Sequence, residues 1–278
     1  MMRSNTAFLI PLLLLASFLL VGWSFPDDFT FVGLEKYAQE LKKNVFSVQI
    51  EGDLQNADKA DDYKIVGSGF LITKNNFIIG ITCKHVVSKF FKMENGKFLY
   101  IKNIFIGLDT NEGFRRFSVD VGYVSGDNDF CLLLPKKERP EEKVILQNLV
   151  LNDGYLGNPD LIIEGKGVLI IGYPLGLGVE YDQNFPVSRI GIIAQYTKRN
   201  YFLIDAVANL GNSGSPVYSL RDGKIVGMVT SFKTDHIPLF DEDKNLVAAL
   251  PYNSGLSSAL PVDVIKKALD EWLESSNQ

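Results

Sequence analysis

Gly211-Asn212-Ser213-Gly214-Ser215-Pro216 is the stretch on which the reading of this chain turns. A serine held between glycines in a tight turn keeps its hydroxyl exposed. The same turn lets backbone N–H groups point at the oxygen of an attacked carbonyl. Serine is a weak nucleophile alone and needs a histidine base oriented by a carboxylate. The chain holds two histidines. His85 stands in Thr82-Cys83-Lys84-His85-Val86-Val87, at the end of an apolar run. Asp129, in Asp127-Asn128-Asp129-Phe130-Cys131-Leu132-Leu133, directly precedes another such run, with Asp127 competing for its role.

Around these three points lie short runs rich in Val, Ile and Phe, separated by Gly, Asn and Asp. They are 45–50, 69–73, 77–82, 104–108, 117–124 and 130–134, then 168–172, 190–196, 201–206, 216–219 and 224–230. Repeated short strands with turn signals between them argue for antiparallel barrels or sandwiches. The polar stretch 136–160 separates two all-β lobes, although 144–151 inside it reads as a candidate ordered segment. Leu34, Tyr37, Leu41 and Val45 recur at helical spacing before the first lobe. Pro261, Ile265, Ala268, Leu269 and Trp272 predict a closing helix with one apolar face. The segment from Phe232 to about Ser254 reads as a polar loop.

At these residues the chain resembles trypsin-like serine proteases, and within them the protease domain of the HtrA group. The family reads Gly-Asn-Ser-Gly-Gly-Pro at its nucleophile, Thr-x-x-His-Val-Val at its base and Asp-Leu-Ala-x-Leu at its acid. The order His, Asp, Ser also matches. Gly67-Ser68-Gly69-Phe70 and Gly172-Tyr173-Pro174-Leu175-Gly176-Leu177-Gly178 agree with family motifs as well, so the likeness runs from about Val45 to the last helix. It implies an all-β fold of two antiparallel six-stranded β-barrels with a short N-terminal and a C-terminal helix. The first barrel is expected at about 45–135, the second at about 160–260 and the helix at about 261–275. No PDZ module is expected after them.

By the same resemblance Ser213 is the nucleophile, His85 the base and Asp129 the orienting acid, with the N–H groups of Gly211 and Ser213 as the oxyanion hole. Three departures stand out: Ser215 for a usual glycine, Leu210 for a usual proline, and Val229 where many relatives carry a Ser or Asn that supports the acid. The primary pocket is expected from Val207, Ala208 and Asn209 and from the edge Val229-Thr230-Ser231. Val207, six residues before Ser213, supplies no counter-charge at the pocket floor. Preference for small or medium aliphatic residues before the cut bond follows, because an unpaired buried Lys or Arg costs several kcal/mol.

Composition narrows the remaining classes. The net charge of −5, from 28 basic and 33 acidic residues, gives no reason to expect nucleic acid as a partner. Two cysteines exclude a disulfide-stapled scaffold, and two histidines a multi-histidine zinc site. No cofactor or metal is expected. The acidic group Asp241-Glu242-Asp243 lacks the alternating spacing of a calcium loop, and His236 beside Asp235 reads as surface. Cys83 and Cys131 flank His85 and Asp129 and read as buried thiols, with a disulfide as the alternative.

Arg3 followed by the apolar stretch Ala7–Gly22 and by Pro26-Asp27-Asp28 marks residues 1–24 as a signal peptide or a retained membrane anchor. Either way the body is expected outside the cytoplasm. The leading function is thus a serine endopeptidase acting on polypeptide substrates among exported proteins. A catalytically silent trypsin-fold binding protein and an esterase using the same residues are the competing readings.

Overall fold

The computed structural model describes residues 31–54, 64–88, 90–92, 98–136, 140–174, 186–196, 201–241 and 243–276. The apolar leader and Leu175–Gly178 of the glycine-rich loop lie outside them. Among the described residues no helix is long and apolar enough to cross a membrane.

Helix α1 (Phe31–Lys42) leads into seven strands: β1 (Val45–Leu54), β2 (Lys64–Lys74), β3 (Phe77–Thr82), β4 (Phe90–Lys92), β5 (Phe98–Thr110), β6 (Gly113–Val124) and β7 (Cys131–Pro135). They pair in the order β1-β2-β3-β7-β6-β5-β4, and β5 also pairs with β1. Six of them therefore close on themselves, with β4 added outside on β5. Strand β1 is covered on both faces: every residue from Val45 to Ile50 is buried, with Ile50 paired to Ile104.

Helix α2 (Pro140–Leu149) occupies the polar stretch between the barrels, with Pro140 in its first turn and Glu141 and Glu142 complementing its dipole. A two-residue strand, β8 (Leu151–Asn152), then pairs in parallel with β2. The second barrel is closed in the order β10-β11-β14-β13-β12-β9. Its strands are β9 (Gly167–Gly172), β10 (Val187–Tyr196), β11 (Phe202–Asp205), β12 (Pro216–Ser219), β13 (Ile225–Phe240) and β14 (Leu246–Pro261). Two barrels, with helices at both chain ends, agree with the architecture that the sequence implies.

Helix α3 (Val262–Ser276) returns from the second barrel to the first. Val262, Ile265, Ala268 and Leu269 share one hydrophobic cluster with Ile72, Ile79 and Leu146. Trp272 meets the Phe77 ring edge-on at 6.1 Å, and Lys74 pairs with Asp270. A separate cluster, including Ile170, Phe202, Ile204 and Val226, fills the second barrel.

One expectation needs correction. The segment from Phe232 to Ser254 is no loop but the outer half of β13 and β14, which run on together as a two-stranded ribbon. Asp235 pairs with Tyr252, Ile237 with Leu250 and Leu239 with Ala248. Apolar side chains here, among them Ile237, Phe240, Leu246 and Leu250, are more than half exposed. Pro238 faces Ala249 and Pro251 faces His236. A proline has no N–H for the ladder, so at both places that side of the backbone turns outward. The amide of His236 on the same outer edge is taken by its neighbour, Asp235 Oδ1, at 2.8 Å.

Candidate active site

Ser213 sits in the turn between β11 and β12. Gly211 and Gly214, at φ 91° and 92°, adopt the left-handed backbone that excludes other side chains at little cost. At Gly214 a Cβ would also lie 1.9 Å from the carbonyl oxygen of Ser68. The turn is pinned to β13: Gly214 N–H donates to Val229 O at 2.8 Å, and Val229 N–H to Ser215 O at 2.9 Å. Among the described residues no acceptor is bonded to the N–H of Gly211 or of Ser213.

His85 lies in the single 3₁₀ turn Lys84–Val87 after β3, anchored by buried Val86. Asp129 ends a bend before β7. There Phe130 is fully buried, and Asn128 N–H donates to Ser125 Oγ at 3.1 Å. These three loops converge. Nε2 of His85 is 2.9 Å from Ser213 Oγ, and Nδ1 is 2.6 Å from Asp129 Oδ2. A proton on Nδ1 shared with the carboxylate leaves Nε2 free to accept from the serine. Asp129 Oδ1 also accepts the backbone N–H of His85 at 3.0 Å. Burial pushes the Asp129 carboxyl up, but the ring and backbone N–H of His85, with Lys84, outweigh it and hold it below the usual carboxylate range.

Support for the acid thus comes from His85 itself. Val229 is buried, and Thr230 turns its hydroxyl to Ser258 O at 3.3 Å while its carbonyl lies 3.4 Å from Ser213 Oγ. Asp127 faces a neighbouring cavity of about 320 Å³ with Lys233 and Tyr201. His236 is on the exposed ribbon, and the Asp241 carboxylate closes the ribbon's turn by accepting from Asn245.

The cleft beside the serine measures about 350 Å³ and is lined by Ala208, Asn209, Leu210, Val229, Thr230 and Ser231, with Phe232 and Thr234 from the ribbon's root. Apart from Asp129, no carboxylate lines it among the described residues. Val207 is not part of this lining and is 48% exposed. The loop turns there, sending Ala208 inward, while Arg189 of β10 donates to the Val207 carbonyl.

Cys83 and Cys131 are free, buried thiols. Cys83 Sγ–H reaches Val229 O at 3.3 Å. Burial and the nearby Asp129 charge push both thiols up, Cys131 to about 12. Ligand atoms of Cys83, His85 and Asp129 lie within 4.8 Å of one another. A cation there would need the disfavoured thiolate and would break the 2.6 Å contact of His85 with Asp129.

Sequence reasoning passed over three supports of the serine turn. Ser68 bonds to Gly211 O. Asn253, at the ribbon's root, donates to Ala208 O and Asn209 Oδ1. Arg189, besides holding Val207 O, reaches the Asn212 amide at 3.0 Å when that amide's oxygen faces it. Each acts across a large sequence separation, and only the glycines flanking Ser68 signalled a close approach.

A family model, the trypsin-like peptidase domain, matches residues 67–228. A probable periplasmic serine endoprotease DegP-like from Buchnera aphidicola subsp. Baizongia pistaciae is 23% identical over 250 residues, covering 87% of this chain and 49% of that protein. A second protein so named, from Rhizobium meliloti, is 25% identical over 75% of this chain and 33% of its own length. The chain therefore spans half or less of these relatives. Among solved structures, "HtrA-type protease AlgW with decapeptide" superposes with a TM-score of 0.57 at 17% identity, over 86% of this chain and 67% of that one.

Proposed function

The chain belongs to the trypsin-like peptidase family, and from that membership we propose that it is a serine endopeptidase working through an acyl-enzyme on Ser213. The observation that carries the reading is the hydrogen-bonded series Ser213 Oγ, His85 Nε2, His85 Nδ1, Asp129 Oδ2. Ser213 Oγ attacks the scissile carbonyl and passes its proton to His85 Nε2. The carbonyl oxygen becomes an oxyanion facing the N–H groups of Gly211 and Ser213. Collapse breaks the C–N bond, and the proton on Nε2 leaves with the amine. Water then attacks the ester, giving its proton to Nε2, and Ser213 is released with that proton.

Substrates are polypeptide chains lying along the edge Val229-Thr230-Ser231. The cleft wall of Ala208, Leu210, Val229 and Phe232 suits an aliphatic side chain before the cut bond, and among the described residues it holds no carboxylate besides the catalytic Asp129 to meet Lys or Arg. Cleavage dominated by Arg or Lys in a peptide library would reject this. Export to the periplasm, the compartment named for the DegP-like relatives, accords with the leader-like residues 1–24.

A fluorophosphonate probe tests the chemistry directly. Labelling is expected in the native protein and absent in Ser213→Ala, with His85→Ala losing peptide turnover by orders of magnitude. A native protein that takes no label would instead support a silent binding module, and a Ser213→Ala variant with full turnover would reject Ser213 as the nucleophile.

A further inference from the structure

Ser68, on β2 of the first barrel, touches the serine turn of the second barrel through its N–H and its hydroxyl. Its N–H donates to Ser213 O at 2.8 Å. Its hydroxyl accepts the N–H of Tyr173 at 2.8 Å, so the hydroxyl proton is free for Gly211 O, 2.7 Å away. Its carbonyl accepts from Thr82 Oγ1 at 2.7 Å, which fixes Ser68 against β3. The residue is fully buried.

The peptide geometry gives these contacts a purpose. The Gly211–Asn212 peptide is held at both ends, its oxygen by Ser68 and its N–H by Asn209 O at 3.0 Å. Ser68 N–H holds the oxygen of the unit after Ser213. The N–H of Ser213 belongs to the unit between these two, and the N–H of Gly211 to the unit before them. Both amides assigned to the oxyanion hole are thus aimed by peptide planes that one residue of the other barrel secures. Glycine at 211 would otherwise let its flanking planes rotate with little resistance.

We infer that Ser68 is a positioning residue that fixes the Gly211 and Ser213 amides in their oxyanion-binding orientation. This rests on the serine-peptidase reading above. Ser68→Ala leaves Gly211 O and Tyr173 N–H without their partner, and the freed plane can turn the Gly211 N–H away from the substrate oxygen. His85 and Asp129 are untouched. The loss therefore falls on charge that develops only in the transition state.

Kinetics of Ser68→Ala, normalised by end-point active-site titration, test this. Expected are a fall in kcat of about 10- to 100-fold with KM within about twofold, an equal loss of affinity for a peptide aldehyde, and an unmoved pH midpoint of kcat/KM. Unchanged turnover, an aldehyde bound as tightly as by the native enzyme, or loss shared equally by kcat and KM would overturn it. Hydrogen exchange of the native protein is the second arm and needs neither a variant nor turnover. The Ser68 amide, which donates to Ser213 O, should be strongly protected, and exchange at the unprotected rate would refute the inference. A native protein that cleaves no peptide would count against the enzyme reading, leaving the exchange arm to decide the role of Ser68.

Discussion

Asp129 holds His85 at two points, the ring Nδ1 at 2.6 Å and the backbone N–H at 3.0 Å. An amide cannot serve both donors with oxygen. In Asp129→Asn the backbone N–H takes the single oxygen, which leaves Nδ2 facing Nδ1. The ring must then accept at Nδ1 and carry its proton on Nε2, where it donates to Ser213 and cannot deprotonate it. Turnover per active site should fall by about 10⁴-fold, with near-UV circular dichroism unchanged. Retention of a tenth of the activity would sink this account.

The same carboxylate makes stability depend on acid. Its folded pKa lies below the usual carboxylate value, so its bonds to His85 contribute fully above the unfolded pKa. That contribution is lost as pH falls through the depressed folded value. Melting curves of the native protein and Asp129→Asn should therefore draw together as pH falls below about 5 and on through the depressed folded value. A gap that widens toward acid would contradict the sign.

Both thiols should resist alkylation in the folded protein. Burial holds Cys83 and Cys131 in the protonated form, and the reactive species is the thiolate. Iodoacetamide at pH 8 is expected to modify neither until denaturant is added, whereupon both react. Mass spectrometry decides, and a rapid single or double adduct on native protein would refute the prediction.

Leu269→Ala should cost about 2–5 kcal/mol in denaturant unfolding. Leu269 is fully buried in the cluster that joins α3 to the first barrel. Exposed Glu274, one turn on, should change stability by less than about 0.5 kcal/mol when replaced by Gln. Equal effects at the two positions would show that the helix does not seal that core.

What could be read in advance follows from the range of the physics involved. The turn around Ser213 depends on glycine conformations within six residues, and β3 and β7 announce themselves by local apolar runs. Ser68, between its two glycines on β2, and Arg189 act across more than a hundred and about twenty residues, and no local pattern reports such partners. Val207 illustrates the limit for the cleft, since one turn of backbone decides whether it or Ala208 points inward. The ribbon escaped notice because Lys233, Asp235, Pro238 and Asp241 are loop-like residues one at a time. Only the cross-strand pairs Asp235–Tyr252 and Ile237–Leu250 make them strands.

That ribbon has the makings of a fibril seed: two long strands, apolar faces and, among the described residues, no further strand paired on either side. Growth of cross-β assemblies requires unbroken rows of donors and acceptors along an edge. Pro238 and Pro251 remove one donor from each outer edge, and Asp235 occupies the amide of His236. Those three side chains therefore work against edge-to-edge pairing of one arm with another.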